Sequence, residues 1–311
     1  MVRARRLRGL NAWLAILAGI WLVVAYATMS HAGADTARQL RFGYSARLLF
    51  EVPSRDAQAA LELWSRELNR AAGYGLQPRS LIYDDLQAMV DAVAHNELDL
   101  VALSALDYLR LPDSASIEPA LVGNRGNGAR EEQVLLVRGN NGISHIEDVR
   151  DKRLIVPTGT TGELSLIWMD TLLFRRGLPA TAGYVAEVKT GGKAQQALLS
   201  VFFGQADAAV VPRGGFATSV ELNPQVGRQL TTIATSPTLL PGLLCFRKDL
   251  ATDQRRLITE ASRDLKNHAT GRQILMLFKI REVVPFRPDD ISELVDLLRE
   301  HAASQRKRGA R

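Results

Sequence analysis

The sequence of 311 residues contains a single cysteine, Cys245. An intrachain disulfide is therefore impossible, and a structural metal site built from several thiolates is excluded as well. Because Cys245 lies in an apolar run at residues 243–246, we expect it to be a small hydrophobic residue in the core.

Signatures of common catalytic centres are also missing. The sequence has no G-x-S-x-G nucleophile elbow, no P-loop, no H-E-x-x-H helix and no EF-hand loop. The five histidines show no metal-ligand spacing. We therefore predict a protein that is not an enzyme and that requires no metal or other cofactor.

Charge of one sign is in modest excess, with a formal net charge of +6. Eight basic residues lie at the two ends of the chain, namely Arg3, Arg5, Arg6, Arg8, Arg306, Lys307, Arg308 and Arg311. Without these eight charges the formal net charge falls from +6 to −2. The chain between its two basic ends is therefore nearly neutral and would not attract a polyanion, so no nucleic-acid partner is expected. Residues 304–311 are expected to form a basic, disordered tail.

The N-terminus has the features of an export segment. Four arginines precede an apolar stretch at residues 10–29, and Ala32, Gly33 and Ala34 then offer an A-x-A cleavage site. The stretch is also long enough to span a bilayer. A cleaved signal peptide and an uncleaved membrane tether therefore both stay open, and in either case the body is exported.

From residue 40 onward, strand-like and helix-like patterns alternate, which favours an α/β fold. Strands are predicted at residues 40–44, 80–83, 99–103, 117–122, 133–137, 154–156, 183–188, 207–211, 230–234 and 243–246. Helices are predicted at residues 56–72, 86–93, 106–110, 146–151, 193–204, 253–267, 271–279 and 289–303, and from Glu163 onward. A glycine-rich cluster at residues 123–128 fits a crossover between two lobes.

The segment 153–168 has the most informative local pattern. A buried strand is followed by a turn with two glycines and two threonines, and a helix begins near Glu163. The start of a helix carries free N–H groups and a partial positive charge, which together favour binding of an anion. An ordinary helix cap after a tight turn is the alternative interpretation.

Polar residues follow several of the predicted strands. In open α/β sheets, ligands bind beyond the carboxyl ends of the strands. Hydroxyls, backbone amides and two cationic side chains at these ends would suit a small anion. The residues are Tyr44, Ser45, Ser104, Thr158, Thr160, Thr161, Lys193 and Arg213.

Over residues 40–303 the chain resembles the phosphonate/phosphite/phosphate-binding proteins of ABC importers. The resemblance lies in residues 97–108, 156–162, 192–211 and 236–250. It implies the α/β, type 2 periplasmic-binding-protein fold, in which two lobes, each a mixed sheet flanked by helices, are joined by two hinge crossovers. It also implies capture of a small oxyanion in the periplasm and delivery to an ABC permease in the inner membrane. We expect a monomer.

The resemblance also assigns regions and roles. Thr160, Thr161 and Gly162 would bind the anionic head, and Tyr44, Ser45 and Ser104 would face them from the first lobe. The expected regions are a signal peptide or signal anchor at 1–34, the first part of lobe one at 35–125, lobe two at 126–235, the return of lobe one with the C-terminal helices at 236–303, and the tail at 304–311.

Two positions depart from the family pattern. Leu103 and Ser104 occur where the family often has an aromatic residue, and Gly192 and Lys193 occur where it often has a His-Glu pair. A lysine there suits an oxyanion without an ammonium group. The resulting hypothesis is a periplasmic binding protein for phosphonate, phosphite or phosphate. A membrane-anchored sensor or partner-binding module of the same fold is the alternative.

Overall fold

The structure is a computed structural model and describes residues 39–49, 54–71, 73–126 and 128–309. The predicted export segment, including the apolar stretch at 10–29, lies outside these residues. Within the described ranges, no helix combines the length and the apolar character needed to cross a membrane.

The strands of the described residues form two sheets. In chain order they are β1 (Arg41–Ser45), β2 (Arg79–Tyr83), β3 (Leu100–Ser104), β4 (Ile117–Asn124), β5 (Glu131–Arg138), β6 (Arg153–Val156), β7 (Glu187–Thr190), β8 (Ala208–Pro212), β9 (Leu230–Leu239), β10 (Gly242–Arg247) and β11 (Glu282–Pro285). The strand order is β11-β4-β10-β3-β1-β2 in the first sheet and β7-β6-β8-β5-β9 in the second. Both sheets contain parallel and antiparallel pairs.

Helices flank both sheets. They are α1 (Ala46–Leu49), α2 (Ser54–Ala71), α3 (Leu86–Ala94), α4 (Ala105–Tyr108), α5 (Thr160–Arg175), α6 (Ala194–Phe202), α7 (Arg213–Leu222), α8 (Pro224–Gln229), α9 (Thr252–Asp264), α10 (Ala269–Leu277) and α11 (Asp289–Gly309). Helices α2, α9 and α10 pack together beside the first sheet, and α5 and α6 pack on the second. The predicted α/β architecture with two mixed sheets is therefore confirmed.

The cores follow from the sequence patterns. On α2, the side chains Leu61, Trp64 and Leu68 recur at helical spacing and are all buried. All five residues of β3 are buried, as expected for a central strand covered on both faces. Cys245 on β10 has no exposed surface, which confirms its expected place in the core.

The chain passes between the two sheets twice, from β4 to β5 and again at residues 240–241, and it returns to the second lobe once more from β11 to α11. The second crossing falls later than the sequence pattern indicated, because Ser236 lies within β9 of the second sheet rather than at the return to lobe one. The reason is that β9 pairs with β5 along its whole length, from Leu230 opposite Arg138 to Leu239 opposite Glu131.

The C-terminal helix α11 packs against α5 and β9 of the second lobe, although residues 289–303 were expected to belong to the first. Its apolar residues Ile291, Leu294 and Leu297 are buried there. The helix also runs through most of the segment expected to be a disordered tail. One reason is that the guanidinium of Arg308 lies 4.7 Å from the centre of the Phe174 ring, which favours an ordered helix end.

Several further elements differ from the sequence predictions. Helices α1, α7 and α8 and the short strand β11 have no counterpart among the predicted elements. The strand predicted at 183–188 is instead a 3₁₀ turn at Thr181–Gly183 followed by β7. Strand β7 is largely exposed at the edge of its sheet, so its sequence lacks the apolar run by which buried strands are recognised.

Candidate functional site

Both crossovers bring the chain to the carboxyl ends of parallel strands. Just after the second crossover, Gly242 pairs with Ser104 at the end of β3. Just after the first, Gln133 pairs with Pro212 at the end of β8. The strand ends of the two lobes therefore border one cleft, which is where open α/β sheets bind ligands.

The loop between β6 and α5 forms one wall of this cleft. Gly159 precedes the helix with a φ of 79°, and its position lacks a side-chain hydrogen bond to the helix start. The first N–H groups of this 16-residue helix are thus not capped by the residue before them. The helix begins at Thr160, three residues before the predicted start, so both threonines belong to its first turn.

Gly162 has a packing role in this loop. A β-carbon placed on it would lie 1.7 Å from the carbonyl oxygen of Pro157, far inside van der Waals contact. The absence of a side chain therefore lets the first turn of α5 fold tightly against the end of β6. Thr160 and Glu163 of this turn contact Arg47 of the first lobe, so the N-terminus of α5 faces that lobe.

Lys193 lies directly beside this loop. The N–H of Thr158 donates to the carbonyl of Gly192 at 2.9 Å, and the N–H of Gly191 donates to the carbonyl of Val156 at 3.0 Å. The backbone N–H of Lys193 donates to Oε1 of Gln196 at 3.0 Å. Among the described residues, no carboxylate oxygen lies within 4.0 Å of the Lys193 ammonium, so its charge is available to a ligand.

The first lobe contributes two serines at strand ends. Ser104 is buried, and its hydroxyl accepts from the Asp107 N–H at 2.9 Å, so it caps α4. Ser45 ends β1 and is also buried. Both predicted residues therefore lie at the edge of the sheet that borders the cleft.

Tyr44 lies elsewhere, because neighbouring residues of a strand point to opposite faces of the sheet. Its side chain is 3% exposed and packs among core residues on the α2 side. Its hydroxyl contacts Oγ of Ser65 at 3.1 Å. Burial raises the pKa of this hydroxyl, and the hydrogen bond with Ser65 offsets the effect only in part. The structure thus places Tyr44 in the core rather than beside Ser45 in the cleft.

Arg213 opens α7 at the end of β8 and is engaged by neighbouring groups of the second lobe. Its Nε donates to the carboxylate of Glu132, and its Nη2 donates to Oγ1 of Thr235 at 3.0 Å. The adjacent N–H of Gly214 donates to Glu131 at 2.9 Å. The charge of Arg213 is therefore already balanced by a carboxylate next to the crossover.

A group of side chains joins the two lobes across the cleft. Arg47 of α1 donates through Nη2 to Glu163 of α5 at 2.8 Å and through Nε to Asp107 at 3.2 Å. Arg110 donates to the other carboxylate oxygen of Glu163 at 2.5 Å. The Thr160 hydroxyl also donates to the Arg47 carbonyl at 3.3 Å. The lobes are therefore in direct contact at the mouth of the cleft.

The sequence predictions did not include Arg47, Arg110 or Glu163 among the site residues. Arg47 lies two residues beyond Ser45, and Glu163 directly follows Gly162. These two residues are thus close in sequence to predicted ones, whereas Arg110 is six residues from Ser104. Their pairing, however, joins positions 116 and 53 residues apart, which no local pattern reveals.

Two cavities lie in the first lobe away from this cleft. One, of about 360 Å³, is lined by Arg41, Asp99 and Arg247 among others. The other, of about 220 Å³, lies beside α2 and β2 and includes Tyr44. None of the other predicted site residues lines either cavity. Within the described ranges, no group of three or more His, Cys, Asp or Glu residues could hold a metal ion.

Comparison with known proteins places this geometry in a family. A family model described as "ABC transporter, phosphonate, periplasmic substrate-binding protein" matches residues 51–291. No curated protein matches the chain in sequence.

Solved structures show the same fold. A binding protein component of an ABC phosphonate transporter from Pseudomonas aeruginosa has 15% identity and a TM-score of 0.64, with 86% of this chain and 88% of that chain covered. PhnD1 from Prochlorococcus marinus, in complex with methylphosphonate, has 17% identity and a TM-score of 0.62, with 85% and 98% covered. The periplasmic aliphatic sulphonate binding protein from Escherichia coli has 13% identity and a TM-score of 0.52, with 87% of each chain covered. The predicted two-lobed periplasmic-binding-protein fold is therefore confirmed.

Proposed function

The chain belongs to the phosphonate family of periplasmic substrate-binding proteins of ABC transporters, and from this we propose that it captures a small phosphorus oxyanion in its interlobe cleft. Membership implies an exported protein that binds a small molecule and presents it to a membrane permease. The ligand class proposed here is phosphonate, phosphite or phosphate. In this proposal the second lobe supplies most of the polar contacts to the ligand.

One observation carries the proposal: the start of α5, which Gly159 does not cap, lies beside the loop that holds Lys193, whose ammonium has no carboxylate partner among the described residues. Gly159 itself offers no side-chain acceptor to the first N–H groups of the helix. The hydroxyl of Thr161 lies on the same turn, and the hydrogen bond between Thr158 and Gly192 holds Lys193 alongside. Backbone N–H groups, a hydroxyl and a cation are the partners that an oxyanion uses at a helix N-terminus.

The charged side chains around the candidate site argue against a ligand that needs an ammonium group. The nearby carboxylates of Glu163 and Glu132 are already paired with arginines. An aminoalkyl ligand would therefore meet the Lys193 ammonium, and neither of these two carboxylates is free to offset the repulsion. We infer that simple oxyanions bind more tightly than 2-aminoethylphosphonate.

Thermal-shift measurements on the purified chain would test this function. Phosphate, phosphite, methylphosphonate and 2-aminoethylphosphonate would be titrated in parallel, with methanesulfonate as the non-phosphorus comparison. A ligand at about 100 times its Kd stabilises the folded state by about 2.7 kcal/mol, so the midpoint of unfolding should rise with concentration. If no phosphorus oxyanion stabilises the protein at millimolar concentration, the proposed ligand class is wrong.

The export segment decides how the protein meets its permease. A cleaved signal would release a diffusing periplasmic protein, whereas an intact apolar stretch at residues 10–29 would hold it at the inner membrane. The membrane-anchored sensor or partner-binding module is the corresponding alternative. N-terminal sequencing of the exported protein separates the two, because a start near residue 35 supports release and a start at Met1 supports the tether.

A further inference from the structure

The contact between Glu163 and two arginines spans the lobes of this protein. Arg47 and Arg110 belong to the first lobe, whereas Glu163 belongs to the first turn of α5 in the second. Both oxygens of the Glu163 carboxylate are used, one by each arginine. Asp107, whose side chain is 4% exposed, holds Arg47 from behind within the first lobe. Opening of the cleft must therefore break two ion pairs.

The net charge of the four side chains Arg47, Arg110, Glu163 and Asp107 indicates that they do not attract the ligand. Arg47 and Arg110 are balanced by Glu163 and Asp107, so the four side chains have no net charge at neutral pH. A balanced, fully paired group provides little attraction for an anion. Lys193, which lacks a carboxylate partner in the described part of the chain, is better placed for that role.

We propose that the ion pairs of Glu163 with Arg47 and Arg110 hold the two lobes together when no ligand is bound. When a ligand is bound, the same ion pairs slow its release. The statement on release rests on the proposed function, whereas the statement on lobe opening does not. The Thr160 hydroxyl adds to the same contact by donating to the Arg47 carbonyl at 3.3 Å. The group therefore ties the first turn of the anion-binding helix to the opposite lobe.

The strength of these ion pairs depends on how exposed their side chains are to solvent. The side chains of Arg47, Glu163 and Arg110 are 41%, 37% and 45% exposed, so solvent and salt weaken their attraction. Ion pairs of this kind are individually weak, and two of them together correspond to about a three- to tenfold change in an equilibrium or a rate. The effect should disappear at high ionic strength.

Lobe opening can be measured directly on the ligand-free protein. Spin labels on Ala59→Cys in α2 and Arg228→Cys in α8 would report the distance between the lobes, since both positions are exposed and Cys245 is buried. We expect Glu163→Gln to shift the distance distribution towards longer values, and 1 M NaCl to do the same in the parent protein. An unchanged distribution in Glu163→Gln would overturn the proposal.

Two further variants test whether a change in the distance between the lobes comes from the Glu163 contact. Glu300→Gln removes the partner of Arg175 in an exposed pair between α5 and α11, both on the second lobe, and should leave the distance unchanged. Arg110→Gln should open the parent protein but add little in the Glu163→Gln background, because the two residues act through one contact. Equal opening in Glu300→Gln would mean that the effect is not specific to the cleft.

Release would be measured by stopped flow with methylphosphonate and with inorganic phosphate. Glu163→Gln should release a bound oxyanion about three to ten times faster, with an association rate changed much less. A release rate equal to that of the parent would refute the role in retention. If neither oxyanion binds the parent protein, the proposed function fails, and the distance measurement still decides the proposal on opening.

Discussion

The backbone N–H of Thr158 donates to the carbonyl of Gly192 at 2.9 Å, which joins the loop after β6 to the loop after β7. One loop leads into the uncapped start of α5 and the other into Lys193. The two parts of the proposed oxyanion site are therefore held as one unit within the second lobe. A site of this kind can remain preorganised when the lobes open, because no group of the first lobe is needed to align it.

Thr161→Val should weaken oxyanion binding by about 1–3 kcal/mol, because a hydroxyl donor is replaced by a methyl group of similar shape. Stability should change little, since only the Thr161 carbonyl, not its hydroxyl, is bonded in the described structure, to Ser165. Isothermal titration calorimetry and thermal unfolding would measure the two quantities. Thr218→Val makes the same change at an exposed position of α7 and should alter neither. Equal affinity in Thr161→Val and the parent would mean that this turn is only a helix start.

Lys193→Gln should weaken binding of phosphate or methylphosphonate by about 1.5–3 kcal/mol, and Lys193→Glu should weaken it further. The physical reason is the loss of the cation beside the loop, followed by introduction of a like charge. The difference between the parent and Lys193→Gln should shrink as salt is added. Lys189→Gln removes an exposed lysine of β7 that pairs with Glu187, and it should bind almost normally. Tighter binding by Lys193→Glu would show that the ligand carries a positive group.

Gly162→Ala should destabilise the protein by about 1–3 kcal/mol or more, because its β-carbon would lie 1.7 Å from the Pro157 carbonyl oxygen. Relief requires a shift of the backbone, which would also displace the first turn of α5. Gly183→Ala is the matched control, since its β-carbon would meet its nearest neighbour, Pro179, only at 3.8 Å. Urea unfolding should give a lower midpoint for Gly162→Ala and a nearly unchanged one for Gly183→Ala. Similar midpoints for the two variants would show that the loop tolerates the added carbon.

Asp207 should make stability depend on pH in the acid range. The pKa of its carboxyl is lowered, chiefly by the hydrogen bond from the Arg153 side chain and also by the Arg153 backbone N–H. A lowered pKa in the folded state means that the stabilisation is present above the unfolded pKa of about 3.9 and is lost as the pH falls through the folded value. The free energies of unfolding of the parent and Asp207→Asn should therefore differ at pH 6 and converge once the pH falls below the lowered pKa of the folded state. A difference independent of pH would contradict this account.

Much of the fold could be predicted from local patterns. The helical spacing of Leu61, Trp64 and Leu68 indicated the buried face of α2, and the apolar run before Ser104 indicated a central strand. Long, strongly periodic elements depend mainly on the burial of their own residues, so the sequence is informative there. Short edge elements such as β7 and β11 gain their order from pairing with a neighbour, which leaves little local signal.

The grouping of the candidate site residues could be predicted in part. Thr158, Thr160, Thr161 and Lys193 follow the ends of parallel strands, and topology alone brings such positions to one edge of a sheet. The core location of the Tyr44 side chain was not predictable in the same way. Tyr44 and Ser45 lie at the same strand end, and they differ only in the face of the sheet to which their side chains point. The pairing of Arg213 with Glu132 likewise depends on β5 lying beside β8.

The sequence by itself determined the family, the α/β class and the glycine- and threonine-rich start of α5, because these depend on residue order over short stretches. Only the tertiary structure decided that Glu163 faces Arg47 and Arg110, that Tyr44 lies in the core and that α11 packs on the second lobe. These relationships join residues far apart in the chain. Their formation depends on how the two sheets meet across the crossovers, which local propensity does not encode.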